Sequence, residues 1–168
     1  EMVYVEGGTF MMGSDTLTEE EKPAHEVTLT SYEIGKYEVT NQQYCDFLNF
    51  IKATPEGRVN DTLFIDILDT TTNIIYTNGK FEVEPGKNDL PVFNVYWHGA
   101  CAFCKALGGD LPSEAQWEFA AIGGNNSKGY LYSGSNDPDS VAWYGNNSVW
   151  PIPTVNDTAA IHAVGQEE

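Results

Sequence analysis

The feature that most constrains how this chain can fold is a short helix whose two ends are both encoded in the sequence. Residues 111–124 read LPSEAQWEFAAIGG. Ser113 is placed as an N-cap, and Gln116, three residues later, completes a capping box. The pair Gly123-Gly124 supplies the left-handed turn that ends a helix. This helix is therefore limited to about ten residues.

Two further helices are predicted, and both are equally short. A second capping box starts at Thr40 with Gln43, and it is followed by apolar residues at helical spacing. That core-facing stripe consists of Tyr44, Phe47, Leu48 and Ile51. Pro55-Glu56-Gly57 is predicted to stop this helix. The third helix runs from about Trp97 to Leu107, where Gly108-Gly109 ends it.

The remaining regular structure is predicted as short strands. Alternating residues predict strands over Met2–Glu6, Thr9–Met12, His25–Thr30 and Tyr32–Val39, and a last strand-like piece over Ile161–Val164. Residues 58–90 differ from the rest of the chain in being mostly polar. They contain Asn78-Gly79 between two β-branched runs, which predicts a hairpin. We interpret residues 58–90 as an insertion packed on one main domain, 1–168. The fold class is α+β, loop-rich, with short helices on small antiparallel sheets.

Charge excludes two classes of partner. The chain has 168 residues, with 25 Asp and Glu against 8 Lys and Arg, a formal net charge of −17. Such a surface repels phosphate backbones and anionic lipid, so nucleic-acid binding is not expected.

No apolar run of roughly 18 residues is present, so no membrane span is expected. The chain begins at Glu1 without a leader or a starting methionine, and we expect a leader to have been removed.

Cys101 and Cys104 form a Cys-x-x-Cys pair on a predicted helix. Such a pair is found both in redox sites and in zinc sites. No second cysteine or histidine pair lies at ligand spacing, although His98 is close. We therefore predict that both thiols are buried, reduced and metal-free, as small apolar side chains of the helix. The third cysteine, Cys45, lies one residue from the stripe of its own helix.

Asn136, Asp137 and Asp139 are the candidates for a metal site, because calcium takes oxygen ligands. Their spacing does not match the calcium loop of an EF-hand, and polar turn chemistry explains the same residues. Calcium is therefore possible. His25, His98 and His162 are far apart in the sequence, and no phosphate loop, nucleophile elbow or zinc-protease motif is present. We assign no catalytic, cofactor-binding or metal-ligating residue.

Three blocks of sequence resemble the sulfatase-modifying-factor family, whose founding activity is the formylglycine-generating enzyme. They are VEGGTFMMGS at 5–14, KPAHEVTLTSYEIGKYEVTNQQYCDFL at 22–48, and PVFNVYWHGACAFCKALGGDLPSEAQWEFAAIGG at 91–124. The resemblance implies a variant of the C-type lectin fold. It also implies that the bulky helix is a scaffold element, in which Trp117 and Phe119 support a loop-rich body.

The resemblance also implies what lies outside this chain. The family continues past a segment like His162–Gly165 to a part that carries the copper-binding cysteine pair, so we expect the domain to be incomplete at its C-terminus. Cys45, Cys101 and Cys104 do not match the active cysteines. Trp143 occupies a position that supplies a calcium ligand in the enzyme. Copper is accordingly expected only if a later segment carries the cysteine pair.

Two functions follow as alternatives. The first is a non-catalytic binding or structural module of a surface or periplasmic bacterial protein. The second is the N-terminal part of an active oxidase that converts a sulfatase cysteine to formylglycine. In either case we expect a protein partner, or the missing C-terminal segment, to complete the fold. Triplets that resemble a glycosylation signal of periplasmic proteins favour an outward location: 15–17, 61–63, 139–141 and 157–159.

Overall fold

The computed structural model describes residues 1–144 and 162–165. These residues form two compact units. Unit 1 contains Glu1–Lys36 and Pro112–Ala142, and unit 2 contains Tyr37–Leu111 together with residues 143, 144 and 162–165. Both units combine short helices with two-stranded antiparallel sheets, which confirms the predicted α+β class.

Unit 1 is built on two small sheets. Strand β1 (Met2–Val5) pairs with β4 (Tyr32–Gly35), and β2 (Thr9–Met12) pairs with β3 (His25–Thr28). Each strand has four residues, so the predicted strands are present, although those that begin at His25 and Tyr32 are shorter than expected. The amide of Leu29 donates to the carbonyl of Gly8 at 2.9 Å, which continues the β2–β3 pairing by one bond.

Helix α3 (Glu114–Ala121) completes unit 1, and the two helices that precede it in the chain, α1 (Asn41–Phe50) and α2 (Trp97–Ala106), belong to unit 2. The predicted capping box is present, since the Ser113 hydroxyl accepts from the amide of Gln116 while the Gln116 side chain accepts from the amide of Ser113. Gly123 has φ +92°, as a left-handed helix end requires. The Tyr32 hydroxyl donates to the carbonyl of Gln116 at 2.5 Å and ties β4 to α3.

The two aromatic side chains of α3 have different environments. Phe119 is 1% exposed and packs on Phe10 of β2, with ring centroids 5.1 Å apart. Trp117 is 63% exposed, so the expectation that it supports the body of the domain is wrong. The reason is helical geometry, because residues two apart in a helix do not share a face and only one of the two can point into the core.

Unit 2 is organised around α1 (Asn41–Phe50). Its capping box of Thr40 and Gln43 is present, and Tyr44, Phe47 and Leu48 of the predicted stripe are buried. The helix ends before Pro55, however. The amide of Ala53 donates to the carbonyl of Leu48, and the amide of Lys52 donates to the carbonyl of Asn49. These two bonds form a Schellman motif, with Lys52 (φ +54°) at the position that glycine usually takes.

Helix α2 (Trp97–Ala106) lies within one residue of its prediction and also ends in a Schellman motif. The amides of Gly109 and Gly108 donate to the carbonyls of Cys104 and Lys105. Gly99 is buried, and a Cβ there would collide with the carbonyl of Phe64 and the hydroxyl of Tyr44. A glycine is therefore needed for α2 to approach the rest of unit 2.

Residues 58–90 contain the predicted hairpin and pack into unit 2. Strands β5 (Arg58–Val59) and β6 (Thr62–Leu63) precede the hairpin of β7 (Ile74–Thr77) and β8 (Lys80–Val83). Its turn has φ +51° at Asn78 and +83° at Gly79, which fits a type I′ turn. The segment supplies Phe64, Ile65, Ile74 and Phe81 to the core of unit 2. Its status as an insertion stays a prediction.

The predicted strand-like piece over Ile161–Val164 is not a strand in its described residues. Ile161 lies outside the described residues, and 162–164 run into a turn. The amide of Val164 donates to the carbonyl of Asp89 at 2.9 Å. A bond to a loop residue does not by itself form a strand ladder. The triplet 157–159 also lies outside the described residues.

Candidate functional site

Cys101 and Cys104 lie on α2, and both are free and half-buried. The Cys101 thiol donates to a carboxylate oxygen of Asp110 at 3.6 Å. Burial, followed by the charges of Cys101 and Asp110, raises the pKa of the Cys104 thiol. We predicted that both thiols of this pair are buried, and that prediction is wrong, because both are only half-buried. Gly99 and Phe103 occupy the buried face of α2, and the cysteines flank it.

Cys45 is the thiol that the fold buries most deeply. It is 2% exposed within α1, among Tyr44, Phe47 and Leu48. Burial, reinforced by the nearby carboxylates of Asp46 and Glu82, raises its pKa to about 11. Reactive cysteines have lowered pKa values and are solvent-accessible, so Cys45 has the character of a core side chain.

Asn136 and Asp137 take part in turn hydrogen bonds. An Asn136 side-chain oxygen accepts from the amide of Leu131 at 2.9 Å, and an Asp137 carboxylate oxygen accepts from the amide of Asp139 at 3.1 Å. The latter bond caps the short 3₁₀ turn Pro138–Ser140. Residues 1–144 and 162–165 contain no group of three or more His, Cys, Asp and Glu side chains that could hold a metal ion. The turn interpretation thus has direct support, and calcium stays a prediction.

The three histidines have separate neighbours. His25 makes a ring-nitrogen contact of 2.9 Å with the carbonyl of Pro23, and His98 packs edge-on against Trp97. His162 stacks on Trp143, with ring centroids 3.6 Å apart and planes inclined by 12°. At the position where the resemblance implies a calcium ligand, unit 2 therefore holds an aromatic stack.

Unit 1 has a groove beside β1, which sequence reasoning did not locate. It has a volume of about 230 Å³ and is lined by Val3–Glu6, Ala120 and Gly123–Asn126. Val3 is 41% exposed and Tyr4 is 66% exposed. We call this feature the β1 groove. The Asn125 side-chain amide donates to the carbonyl of Gly7 at 3.1 Å and so fixes one end of its wall.

A second depression adjoins the β1 groove across the turn that follows α3. It has a volume of about 240 Å³, and Ala120, Gly123 and Asn126 line both hollows. Its far side carries Lys128 and Tyr130, with the ammonium 5.7 Å from the ring centroid. Both hollows are shallow and carry few titratable groups, so the arrangement suits binding better than acid–base chemistry.

The field around these hollows is strongly negative. Residues 1–36 and 112–142 carry twelve carboxylate side chains against three lysines, a net charge of −9 for that part of unit 1. The lining of the β1 groove contributes Glu6 and no basic side chain. A cationic partner is therefore attracted to this surface, and an anionic one is repelled.

Comparison with known proteins places the chain in a family. Residues 1–165 match the family described as Sulfatase-modifying factor enzyme 1-like domain. The chain belongs to this sulfatase-modifying-factor family. The match covers nearly the whole chain, so the resemblance carried by the three sequence blocks is confirmed.

Relatives within the sulfatase-modifying-factor family have diverse names. The chain is 35% identical over 124 residues to the serine/threonine-protein kinase Pkn1 of Chlamydia trachomatis, which is 74% of this chain and 20% of that protein. It is 31% identical over 188 residues to the chaperone protein LppX of Paenibacillus barcinonensis, covering all of this chain and 64% of that protein. It is 30% identical over 169 residues to the inactive C-alpha-formylglycine-generating enzyme 2 of Mus musculus, covering 86% of this chain and 54% of that protein.

The chain thus spans only part of each of these relatives, from a fifth of the kinase to about two thirds of LppX. A solved structure agrees on the fold. The crystal structure of CarF matches 94% of this chain and 68% of its own chain, with a TM-score of 0.51 and 23% identity. None of the helices in the described residues is long and apolar enough to cross a membrane.

Proposed function

We propose that this chain is a non-catalytic binding or structural module of a surface or periplasmic bacterial protein. The observation that carries the proposal is the β1 groove, an open hollow next to a strand whose Tyr4 is 66% exposed. Exposed apolar side chains beside a hollow are typical of surfaces that bind another molecule. The titratable side chains that line the groove are those of Tyr4 and Glu6, so the surface offers contact area and little acid–base chemistry.

The state of the thiols supports a non-catalytic role. Burial raises the pKa of both Cys45 and Cys104, which keeps these groups protonated at neutral pH. Catalytic and copper-binding cysteines act as thiolates, and their surroundings lower the pKa. Cys45 and Cys104 are thus poorly suited to the chemistry of the family's oxidase.

The names of the relatives support a module that serves different proteins. One relative is named inactive, one is named a kinase, and this chain matches only 20% of the kinase. Another is named a chaperone. A fold that recurs within proteins of such different names is suited to contact and support, with the chemistry supplied elsewhere.

The finer parts of the proposal concern the fold and its partners. We assign the chain to the lectin-like variant of the formylglycine-generating-enzyme fold, completed by a protein partner or by the family's C-terminal segment. No cofactor is proposed for this chain; calcium at Asn136–Asp139 is possible, and copper requires the later cysteine pair. The acidic surface supports a protein partner over nucleic acid.

A dye-binding experiment tests the exposed apolar surface. The folded chain should bind a hydrophobic dye, and Tyr4→Ser should reduce the signal at least twofold. Leu68→Ser is the matched control, because Leu68 is 84% exposed but lies in unit 2. Little dye binding by a chain with a sharp thermal transition would show that no such surface is available.

One relative favours a second function. The chain is 28% identical over 158 residues to the formylglycine-generating enzyme of Mycobacterium tuberculosis, covering 76% of this chain and 53% of that protein. The alternative is therefore the N-terminal part of an active oxidase that converts a sulfatase cysteine to formylglycine. The formation of formylglycine in a cysteine-containing peptide distinguishes the two functions.

A further inference from the structure

We propose that the free edge of β1 receives an extended, lysine- or arginine-rich segment of a partner protein, which adds as a strand along the β1 groove. This inference rests on the proposed binding role and names the chemistry of the partner. Four features of unit 1 carry it: the direction of the β1 backbone groups, the absence of blocking residues in β1, the size of the groove and the charge around it.

The register of the β1–β4 pair leaves hydrogen-bonding groups on the outer edge of β1. The amide of Lys36 donates to the carbonyl of Glu1 at 3.1 Å, which makes these opposite residues a hydrogen-bonded pair. Such pairs alternate along an antiparallel ladder, so Val3 and Val5 also bond to β4. The amide and carbonyl of Tyr4 therefore point away from β4. No other strand in the described residues pairs with β1.

Three of the devices that protect free strand edges are absent from β1. Native proteins block such edges with lysine, proline or a bulge, or keep the edge strand very short or covered by a loop, because an unpaired edge is a template for another strand. Strand β1 reads MVYV and contains neither lysine nor proline. Its four residues pair with β4 in an unbroken register, so no bulge turns the edge away. An edge without these three devices can pair with a short added strand, since β1 itself has only four residues.

The β1 groove lies where an added strand would run. It is lined by Val3–Glu6, Ala120 and Gly123–Asn126 and by no residue of β4, which is the lining expected of a hollow on the outer side of β1. Its volume of about 230 Å³ is small for a drug-sized ligand. It suits one or two side chains of an extended peptide, whose backbone bonds to the strand edge while alternate side chains fill pockets. Ala120 and Gly124, two small residues, are part of its lining.

Charge selects the sequence of that peptide. The groove holds Glu6 and no basic side chain, within a part of unit 1 that carries a net charge of −9. A second copy of this acidic chain would be repelled, so self-pairing of β1 edges is disfavoured. A segment in which lysines or arginines alternate with apolar residues can pair with the edge of β1 through its backbone, and its positive charges are attracted by the negative field around the groove. Its affinity should fall as salt is raised.

The test uses the full chain and fluorescein-labelled peptides of three kinds: Lys-Val-Lys-Val-Lys-Val-Lys, the same peptide with N-methylated valines, and the glutamate counterpart of the first. Ala120→Leu narrows the groove, and Ala121→Leu is its control because Ala121 lines only the second depression. Glu6→Lys changes the charge at the groove, and Glu20→Lys makes the same change on an exposed turn elsewhere. Thermal unfolding confirms that each variant is folded.

We expect the lysine peptide to bind and to slow hydrogen exchange of the Tyr4 amide at least tenfold. Ala120→Leu and Glu6→Lys should each weaken binding at least fivefold, and their controls less than twofold. The N-methylated and glutamate peptides should not bind. The inference is overturned if the lysine peptide does not bind at millimolar concentration, if the Tyr4 amide is unaffected, or if variants and controls weaken binding equally. None of these outcomes bears on whether the chain forms formylglycine.

Discussion

Asn49 provides the sharpest test of how residues 58–90 are held in unit 2. Its side-chain amide donates to the carbonyl of Phe81 at 2.9 Å, and its side-chain oxygen accepts from the amide of Phe81 at 2.8 Å. Phe81 lies opposite Tyr76, one step beyond the pair that closes the hairpin, so its backbone groups point outward from β8. Asn49 thus takes the place of a neighbouring strand.

Replacing Asn49 by alanine removes the hydrogen-bond partners of both the amide and the carbonyl of Phe81. These backbone groups lie in a buried environment, since the Phe81 side chain is 2% exposed. Two net hydrogen bonds contribute about 1–3 kcal/mol, and leaving the backbone groups unpaired adds a desolvation penalty. Alanine is the better helix former by about 0.5 kcal/mol, which offsets a small part. We therefore expect Asn49→Ala to lower the free energy of unfolding by about 2–4 kcal/mol.

The assay is urea unfolding followed by far-ultraviolet circular dichroism, with hydrogen exchange of the Phe81 amide as a local readout. A loss of this size moves the midpoint down by about 1–2 M urea. Phe50→Ala is the control, because that neighbouring side chain is 79% exposed and should change stability by less than about 0.5 kcal/mol. If Asn49→Ala lowers the free energy of unfolding no more than Phe50→Ala does, the two hydrogen bonds between Asn49 and Phe81 do not hold the hairpin.

Three further predictions concern other parts of the chain. Phe119→Ala should destabilise unit 1 by about 3–5 kcal/mol in the same urea assay, whereas Trp117→Ala should cost less than about 1 kcal/mol. Because the pKa of Cys45 is raised, the protonated thiol stabilises the fold below pH 9, and this contribution should be lost as the pH rises to about 11. The free energy of unfolding should therefore depend less on pH between 9 and 11 in Cys45→Ala than in the unmodified chain, and equal slopes of this free energy against pH would contradict the prediction. Gly79→Ala should cost about 1 kcal/mol or more in thermal unfolding, because φ is +83° there, and an unchanged midpoint would exclude strain at the turn.

Local signals allowed much of the fold to be predicted from sequence. The two capping boxes and the Asn-Gly turn involve residues within three positions of one another, and all three are present in the structure. The ends of helices were less predictable. Lys52 takes a left-handed conformation that glycine usually takes, so the end of α1 carried no recognisable signal.

Features that depend on distant contacts could not be predicted. Phe119 and Trp117 have similar hydrophobicity, and only the position of β2 decides which of them is buried. The β1 groove is lined by residues of β1 and by Gly123–Asn126, which lie more than a hundred residues apart in the sequence. The sequence showed a strand at Met2 but carried no signal for which of its edges would remain free.

The claim that the chain is a non-catalytic module is tested most directly by a peptide-conversion assay. The purified chain is incubated with a cysteine-containing sulfatase peptide, a copper salt, a thiol reductant and oxygen, and the peptide mass is followed. We expect no formylglycine above a protein-free control, because burial keeps Cys45 and Cys104 protonated and the chain offers no matched copper-binding cysteine pair. Conversion above that control, lost when a cysteine of this chain is replaced by serine, would contradict the account and establish the oxidase.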